Sequence, residues 1–177
     1  MSILKVANLG NPILRTIAQK LPAARITSAE LQKFIGDMID TMKEYDGVGL
    51  AAVQVHEPLQ IAVLEVAESP RYPDKPRIPL SVLVNPKIIP LSQEMEDDWE
   101  GCLSIFDLRG TVPRYKHIQV QAQGKDGRDL DFVASGFHAR VIQHEWDHLN
   151  GKVFLDRMAD LSTLTYTREL ARFWARK

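Results

Sequence analysis

The pentad His144-Glu145-Trp146-Asp147-His148 constrains this chain more than any other stretch of it. Two histidines at i and i+4 lie one turn apart on the same side of a helix, so both imidazoles can reach one metal ion. Such a helix must be packed if its histidines are to be held rigid, and Val141, Ile142 and Leu149 can bury one side of it. The pattern predicts a helix over Phe137 to Leu149, stopped by Asn150-Gly151, a pair suited to a C-terminal cap. Glu145 stands beside the first histidine. A carboxylate there can exchange a proton with water activated by the ion without ligating the ion itself.

A hydrolytic ion normally takes a third protein ligand and keeps one position open. Three residues are candidates. Cys102, the one cysteine of the chain, lies in Glu100-Gly101-Cys102-Leu103-Ser104, where Gly101 frees the backbone to bend. Judged alone, a single cysteine can equally be a small buried hydrophobe. Glu169 lies roughly twenty residues past His148, as in one class of zinc protease. His138 shares the predicted helix but precedes His144 by six residues, which turns it about 120° away. Asp147 could orient a ligand or be an ordinary acid on the helix surface. His56 and His117 have the neighbours of surface loop and strand and are assigned no role.

The remainder reads as one domain spanning residues 1–177, long enough to bury a core. The net charge of −1 speaks against a strongly basic nucleic-acid binder. No apolar run approaches the roughly 18 residues needed to cross a bilayer. An internal disulfide is impossible with one cysteine. The acid-poor start carries Lys5, Arg15, Lys20 and Arg25, but Gly10-Asn11-Pro12 and Pro22 would interrupt an amphipathic transit helix. It is read as part of the fold, and the compartment expected is cytoplasmic and reducing.

A helix is predicted from about Thr27 to Tyr45, with Thr27 as cap, Glu30 completing a capping box, and Leu31, Phe34, Ile35, Met38, Ile39 and Met42 as its apolar stripe. Gln60 to Ala67 reads as a buried strand. Pro70, Pro73, Pro76 and Pro79 then predict a stiffened, extended surface loop. Leu80 to Leu91 reads as a strand, with Pro86 and Pro90 at an edge or bend. Glu94, Glu96, Asp97 and Asp98 read as solvated loop. His117 to Ala134 alternates as a hairpin turning at Lys125-Asp126-Gly127. A last helix is predicted from about Ser162 to Ala175, carrying Leu164, Leu170, Phe173 and Trp174. The fold expected is α+β: mainly antiparallel β-sheets packed around the central HExxH helix, with an N-terminal and a C-terminal helix.

Three segments together resemble the peptide deformylase family: Gly47-Val48-Gly49-Leu50-Ala51-Ala52-Val53-Gln54, Glu100-Gly101-Cys102-Leu103-Ser104, and Gln143-His144-Glu145-Trp146-Asp147-His148-Leu149. The similarity extends from about Leu4 to Leu155. It implies an enzyme that hydrolyses the formyl group from the N-terminal formylmethionine of new polypeptides and releases formate. It implies Cys102, His144 and His148 as metal ligands, holding one divalent ion: Fe(II) in the cell, with Zn(II), Ni(II) or Co(II) accepted. A thiolate with two imidazoles suits such borderline-soft ions. Glu145 matches the general acid/base. The Gln54 side chain and the Leu103 backbone N–H match the groups that stabilise the oxyanion.

The resemblance also makes Gly49, Gly101 and the backbone near them a peptide-docking segment, with Val48, Phe137 and Val141 lining a methionine pocket and Arg109 near the substrate entrance. Arg140 stands where an apolar residue is expected, and Phe106-Asp107 where a proline is. The partners implied are N-formylmethionyl nascent peptides and a transient ribosome contact, with no specific nucleic acid and no membrane, and a monomer is favoured. Arg168, Arg172, Arg176 and Lys177 read better as a solvated helix face than as a ribosome contact. Two rival readings remain: a zinc endopeptidase using Glu169, and a non-enzymatic structural metal site or binding module.

Overall fold

The computed structural model describes residues 2–66 and 76–174. Its centre is a five-stranded sheet in the order β1-β2-β3-β6-β7, formed by Gly49–Ala51 (β1), Ile61–Val66 (β2), Ile78–Pro90 (β3), His117–Gln123 (β6) and Asp129–Ser135 (β7). A second sheet joins Met95–Cys102 (β4), Ile105–Tyr115 (β5) and Thr165–Tyr166 (β8) in the order β4-β5-β8. Every ladder between these strands is antiparallel.

The run Ile61-Ala62-Val63-Leu64 is apolar throughout because β2 is covered on both faces. Ile61 and Val63 point into one core with Leu31, Ile35, Met38 and Met42 of the helix Ala29–Glu44 (α2). Leu64 and Val66 point the other way, to Ala139, Val141 and Ile142 of the helix Gly136–Leu149 (α3). A third core beneath β5 gathers Leu14, Ile105, Val112 and Phe154. The helix bearing the two histidines is thus wedged behind the large sheet, and the hairpin bearing Cys102 closes over it.

The predicted hairpin is present, Ile118 facing Ala134 and Val120 facing Phe132, with Gly127 at φ +79° in the turn. The α3 stop is present as well: Asn150 is the cap, and Gly151 follows at φ +69° with its α-carbon so close to Arg15 that a Cβ would come within 2.7 Å of that carbonyl oxygen. The acid-poor start is built into the fold, with Val6, Ala7, Leu14, Ala18 and Leu21 buried.

Four expectations shift. The α2 cap is Ser28, whose Oγ accepts from Leu31 N at 3.4 Å, and not Thr27 with a Glu30 box. The reason is a one-turn helix, Ala23–Ile26 (α1), which Pro22 opens and Thr27 closes. The strand expected at Leu80 to Leu91 is the central strand of its sheet, so its prolines mark a bend. The register slips between Val84 and Lys87, where Asn85 takes φ +52° and its side chain bonds both backbone groups of Leu21 at 2.9 Å. Glu96, Asp97 and Asp98 lie in β4, paired to β5, and Glu94 pairs with Lys116 at 2.6 Å. The C-terminal helix begins at Thr167, not Ser162: Thr165–Tyr166 pair first with Arg109 and Leu108 of β5, and the helical residues Thr167–Glu169 (α4) continue in a wide turn to Trp174. β-branched and aromatic residues before Thr167 favour that pairing. Pro70 and Pro73 of the predicted loop lie outside the described residues, and Pro79 belongs to β3.

Candidate active site

The end of β4 and one face of α3 bring Cys102, His144 and His148 together, with one ligand atom from each within 4.8 Å of the others. Cys102 Sγ lies 3.2 Å from His148 Nε2, and the two imidazoles meet at 77° with centroids 5.0 Å apart. A metal–sulfur distance of about 2.3 Å and metal–nitrogen distances of about 2.0–2.1 Å fit inside such a triangle. Glu169 is not part of it and pairs with Arg168 at 3.2 Å. His138 is turned away as its spacing predicts, stacked on Phe132 with centroids 5.8 Å apart.

His144 is positioned by a buried ionic chain, whereas His148 Nδ1 is buried without a hydrogen-bond partner. His144 Nδ1 lies 2.9 Å from Glu100 Oε2. A carboxylate can only accept there, so Nδ1 carries the proton and Nε2 is left as the ligand atom. Glu100 is gripped by Arg114 through two bonds, at 2.9 and 3.0 Å, and by Arg140 at 2.9 Å. Arg114 also donates to Asp147, which Arg157 holds at 2.6 Å. Asp147 is therefore linked to His144 through Arg114 and Glu100 rather than by touching a ring.

Burial alone would raise the Glu100 carboxyl, but hydrogen bonds from Arg114 and His144 hold it well below the usual carboxylate range. Burial, then the charges of His144 and Arg114, keeps His148 neutral. His144 is drawn well above its ordinary value: burial opposes the charge, but Cys102 and Glu100 outweigh it. Surroundings that attract a proton so strongly favour a cation in the same place.

Glu145 is 4% exposed, and its Oε2 is buried with no hydrogen-bond partner. Burial raises its carboxyl to about 7. Its other oxygen lies against Gly49, where a Cβ would come within 2.3 Å of it. Gln54 is 1% exposed and fixed by both ends of its amide. Oε1 accepts from Ala51 N at 2.8 Å, so the NH2 group must face Ser104 Oγ at 3.1 Å and Cys102 Sγ at 3.5 Å. Leu103 packs its side chain over Gly47, where a Cβ would come within 2.8 Å of it.

A cleft of about 850 Å³ opens over these groups, lined also by Val48, Phe137, Val141, Gly101 and Arg109. The Arg109 guanidinium lies across Gly101, 2.2 Å from where a Cβ would stand, and donates to Leu108 O at 2.8 Å. Arg140, which stands where an apolar residue is expected, borders the cleft but is buried in the ionic chain, and it also donates to Val112 O at 2.7 Å. Sequence reasoning missed Glu100, Arg114 and Arg157 as supports. The polar Arg140 at an apolar position was the one available signal.

Three convergent donors, an unpartnered buried carboxylate beside them and a cleft above define the site of a metal-dependent hydrolase. The comparisons with known proteins narrow the class. A sequence profile of the polypeptide deformylase family matches residues 3–163. Peptide deformylase 2 of Pseudomonas putida and peptide deformylase 1 of Bordetella pertussis are each 46% identical over 165 residues, 93% of this chain and 93% of theirs. The Met-Ala-Ser-bound class I type b peptide deformylase of Acinetobacter baumannii superposes with a TM-score of 0.86 at 41% identity, covering 89% of this chain and 100% of that one. The Synechococcus elongatus peptide deformylase in complex with actinonin gives 0.80 at 38%, covering 90% and 81%. The chain belongs to the polypeptide deformylase family, metallo-hydrolases that remove the N-formyl group from new polypeptides.

Proposed function

We propose that residues 1–177 form one catalytic domain in which Cys102, His144 and His148 hold a divalent ion, Fe(II) in the cell with Zn(II), Ni(II) or Co(II) as substitutes, and Glu145 is the general acid/base. Bound there, the ion supplies Lewis-acid activation of water and of the formyl carbonyl. The Glu145 carboxylate accepts the proton released as water adds to the formyl carbon, and delivers it to the methionine amine as the C–N bond breaks. Burial raises the Glu145 carboxyl above the ordinary carboxylate range, which favours its holding the proton between the two steps. The Gln54 NH2 and the Leu103 backbone N–H meet the negative charge that develops on the formyl oxygen.

The peptide is received by backbone pairing. β1 ends its sheet and Gly49 borders the cleft, so the strand edge at Gly49 is the place for a further strand to pair, Ala51 N being taken by Gln54 Oε1. Affinity carried by main-chain bonds tolerates many sequences, which a deformylase requires. Val48, Phe137 and Val141 take the methionine side chain, while Gly101 and Arg109 wall the entrance. The setting is cytoplasmic, where nascent chains emerge and a lone thiol stays reduced.

The observation that carries this reading is the partnerless Glu145 oxygen beside the three donors. The test is formate release from formyl-Met-Ala by anaerobically prepared, Fe(II)- or Ni(II)-loaded protein. Rapid release is expected, with Glu145→Gln losing about 10²–10⁴-fold in rate while retaining metal. No release from metal-loaded, folded protein overturns the substrate assignment.

A further inference from the structure

The cleft extends well beyond its catalytic floor. Val141, His144 and Glu145 are at most 9% exposed, whereas Phe106, lining the same cleft, is 88% exposed. Resting on the deformylase reading, we propose that Phe106 is a specificity-determining residue. Its ring receives an aromatic or large apolar side chain at one of the two peptide positions that follow the formylated methionine.

The ring is presented by a fixed backbone. Ile105 is buried in the core beneath β5, so strand alternation turns Phe106 outward. Asp107 follows at φ +60°, and its carbonyl accepts from Thr167 Oγ1 at 3.3 Å. Leu108 and Arg109 are then paired by Tyr166 and Thr165 of β8. Only two side-chain torsions remain to be ordered when a ligand lands on the ring, which keeps the entropic cost of contact low.

The occupant follows from continuity. A peptide paired to the β1 edge with its methionine among Val48, Phe137 and Val141 must leave through the mouth that Phe106 borders. Charges at that mouth carry both signs, Lys5 and Arg109 against Asp46 and Asp107, so they offer no net preference. The exposed ring does. The strap that holds it runs from Thr165 to Trp174, and Thr167 lines the cleft beside the ring.

The test compares formate release from formyl-Met-Ala-Ala, formyl-Met-Phe-Ala and formyl-Met-Ala-Phe by Ni(II)-loaded full-length protein, in the wild type, Phe106→Ala and Phe106→Tyr. The wild type should favour one phenylalanine peptide by about three- to tenfold in kcat/KM, the scale of one aromatic contact, and through KM rather than kcat. Phe106→Ala should abolish the ratio and Phe106→Tyr should keep it. Equal values for the three peptides in the wild type, or an unchanged ratio in Phe106→Ala, overturns the proposal and leaves deformylation standing. No formate from any of the three overturns the deformylase reading, and this one with it.

Discussion

Glu145 and Gly49 occupy one another's space. A methyl group on Gly49 would meet Glu145 Oε1, Cδ and Cγ at 2.3, 2.7 and 2.9 Å. A flexible acid on a surface would swing aside, but this one is buried on a packed helix and has nowhere equivalent to go. Gly49→Ala should therefore displace the carboxylate by an ångström or so and lower kcat about 10²-fold, with metal content unchanged by elemental analysis. A rise in KM at unaltered kcat would show that Gly49 matters for peptide docking and not for the placement of Glu145. Gln54 allows a similar argument. Because Oε1 is committed to Ala51 N, a substitution that keeps the shape but loses the donor, Gln54→Glu, should cost about 10²–10³-fold in kcat. The KM for formyl-Met-Ala should move far less than the rate.

One face of α3 and the β4–β5 hairpin are joined by charge rather than by apolar contact alone. Glu100 from β4, Arg114 from β5 and Arg140, His144 and Asp147 from α3 form one buried network, completed by Arg157. Removing one partner of such a network leaves an uncompensated buried charge, at a cost of about 3–5 kcal/mol. Glu100→Gln should lose stability on that scale by denaturant unfolding, and metal affinity by about 10–100-fold in a chelator competition, because His144 is left with at most a neutral acceptor in place of a carboxylate. Unchanged affinity would remove Glu100 from its orienting role. The pH dependence has a definite sign. The folded carboxyl lies well below its ordinary value of 4.5, so its contribution is full above that pH and is lost as pH falls from there through the folded value. Wild-type stability should drop below about pH 4.5, and Glu100→Gln should flatten the drop. These supports were the part of the site least legible in sequence. The histidine pair, Glu145, α3 and the hairpin each write a local period into the chain. Glu100 and Arg114 are brought to His144 by pairing over long separations, and nothing near Arg114 in sequence marks it. β8 is hidden for the same reason, as a two-residue strand whose partner lies more than fifty residues earlier. The α2 cap failed more narrowly, since Thr27 and Ser28 are both good caps and only the one-turn helix before them decides between the two.

At the scale of the whole molecule, the donors tie together parts that otherwise pack separately. Cys102 ends β4 in the three-stranded sheet, 46 positions from His148, while His144 and His148 ride on a helix backed by the five-stranded sheet. In the unfolded chain Cys102 is far from the two histidines, and the three together bind an ion weakly. An ion bound by the folded state alone stabilises it by about 2.7 kcal/mol at a hundredfold excess over Kd. In a protein of this length each kcal/mol moves the midpoint by about 2–4 °C. Ni(II) should therefore raise Tm by about 5–11 °C over chelator-treated protein, by differential scanning calorimetry. The rise separates the rival ligand sets without recourse to activity. If Cys102 completes the site, Cys102→Ala should lose the rise and Glu169→Gln should keep it, since Glu169 is occupied with Arg168. The opposite pattern would move the third ligand from Cys102 to Glu169.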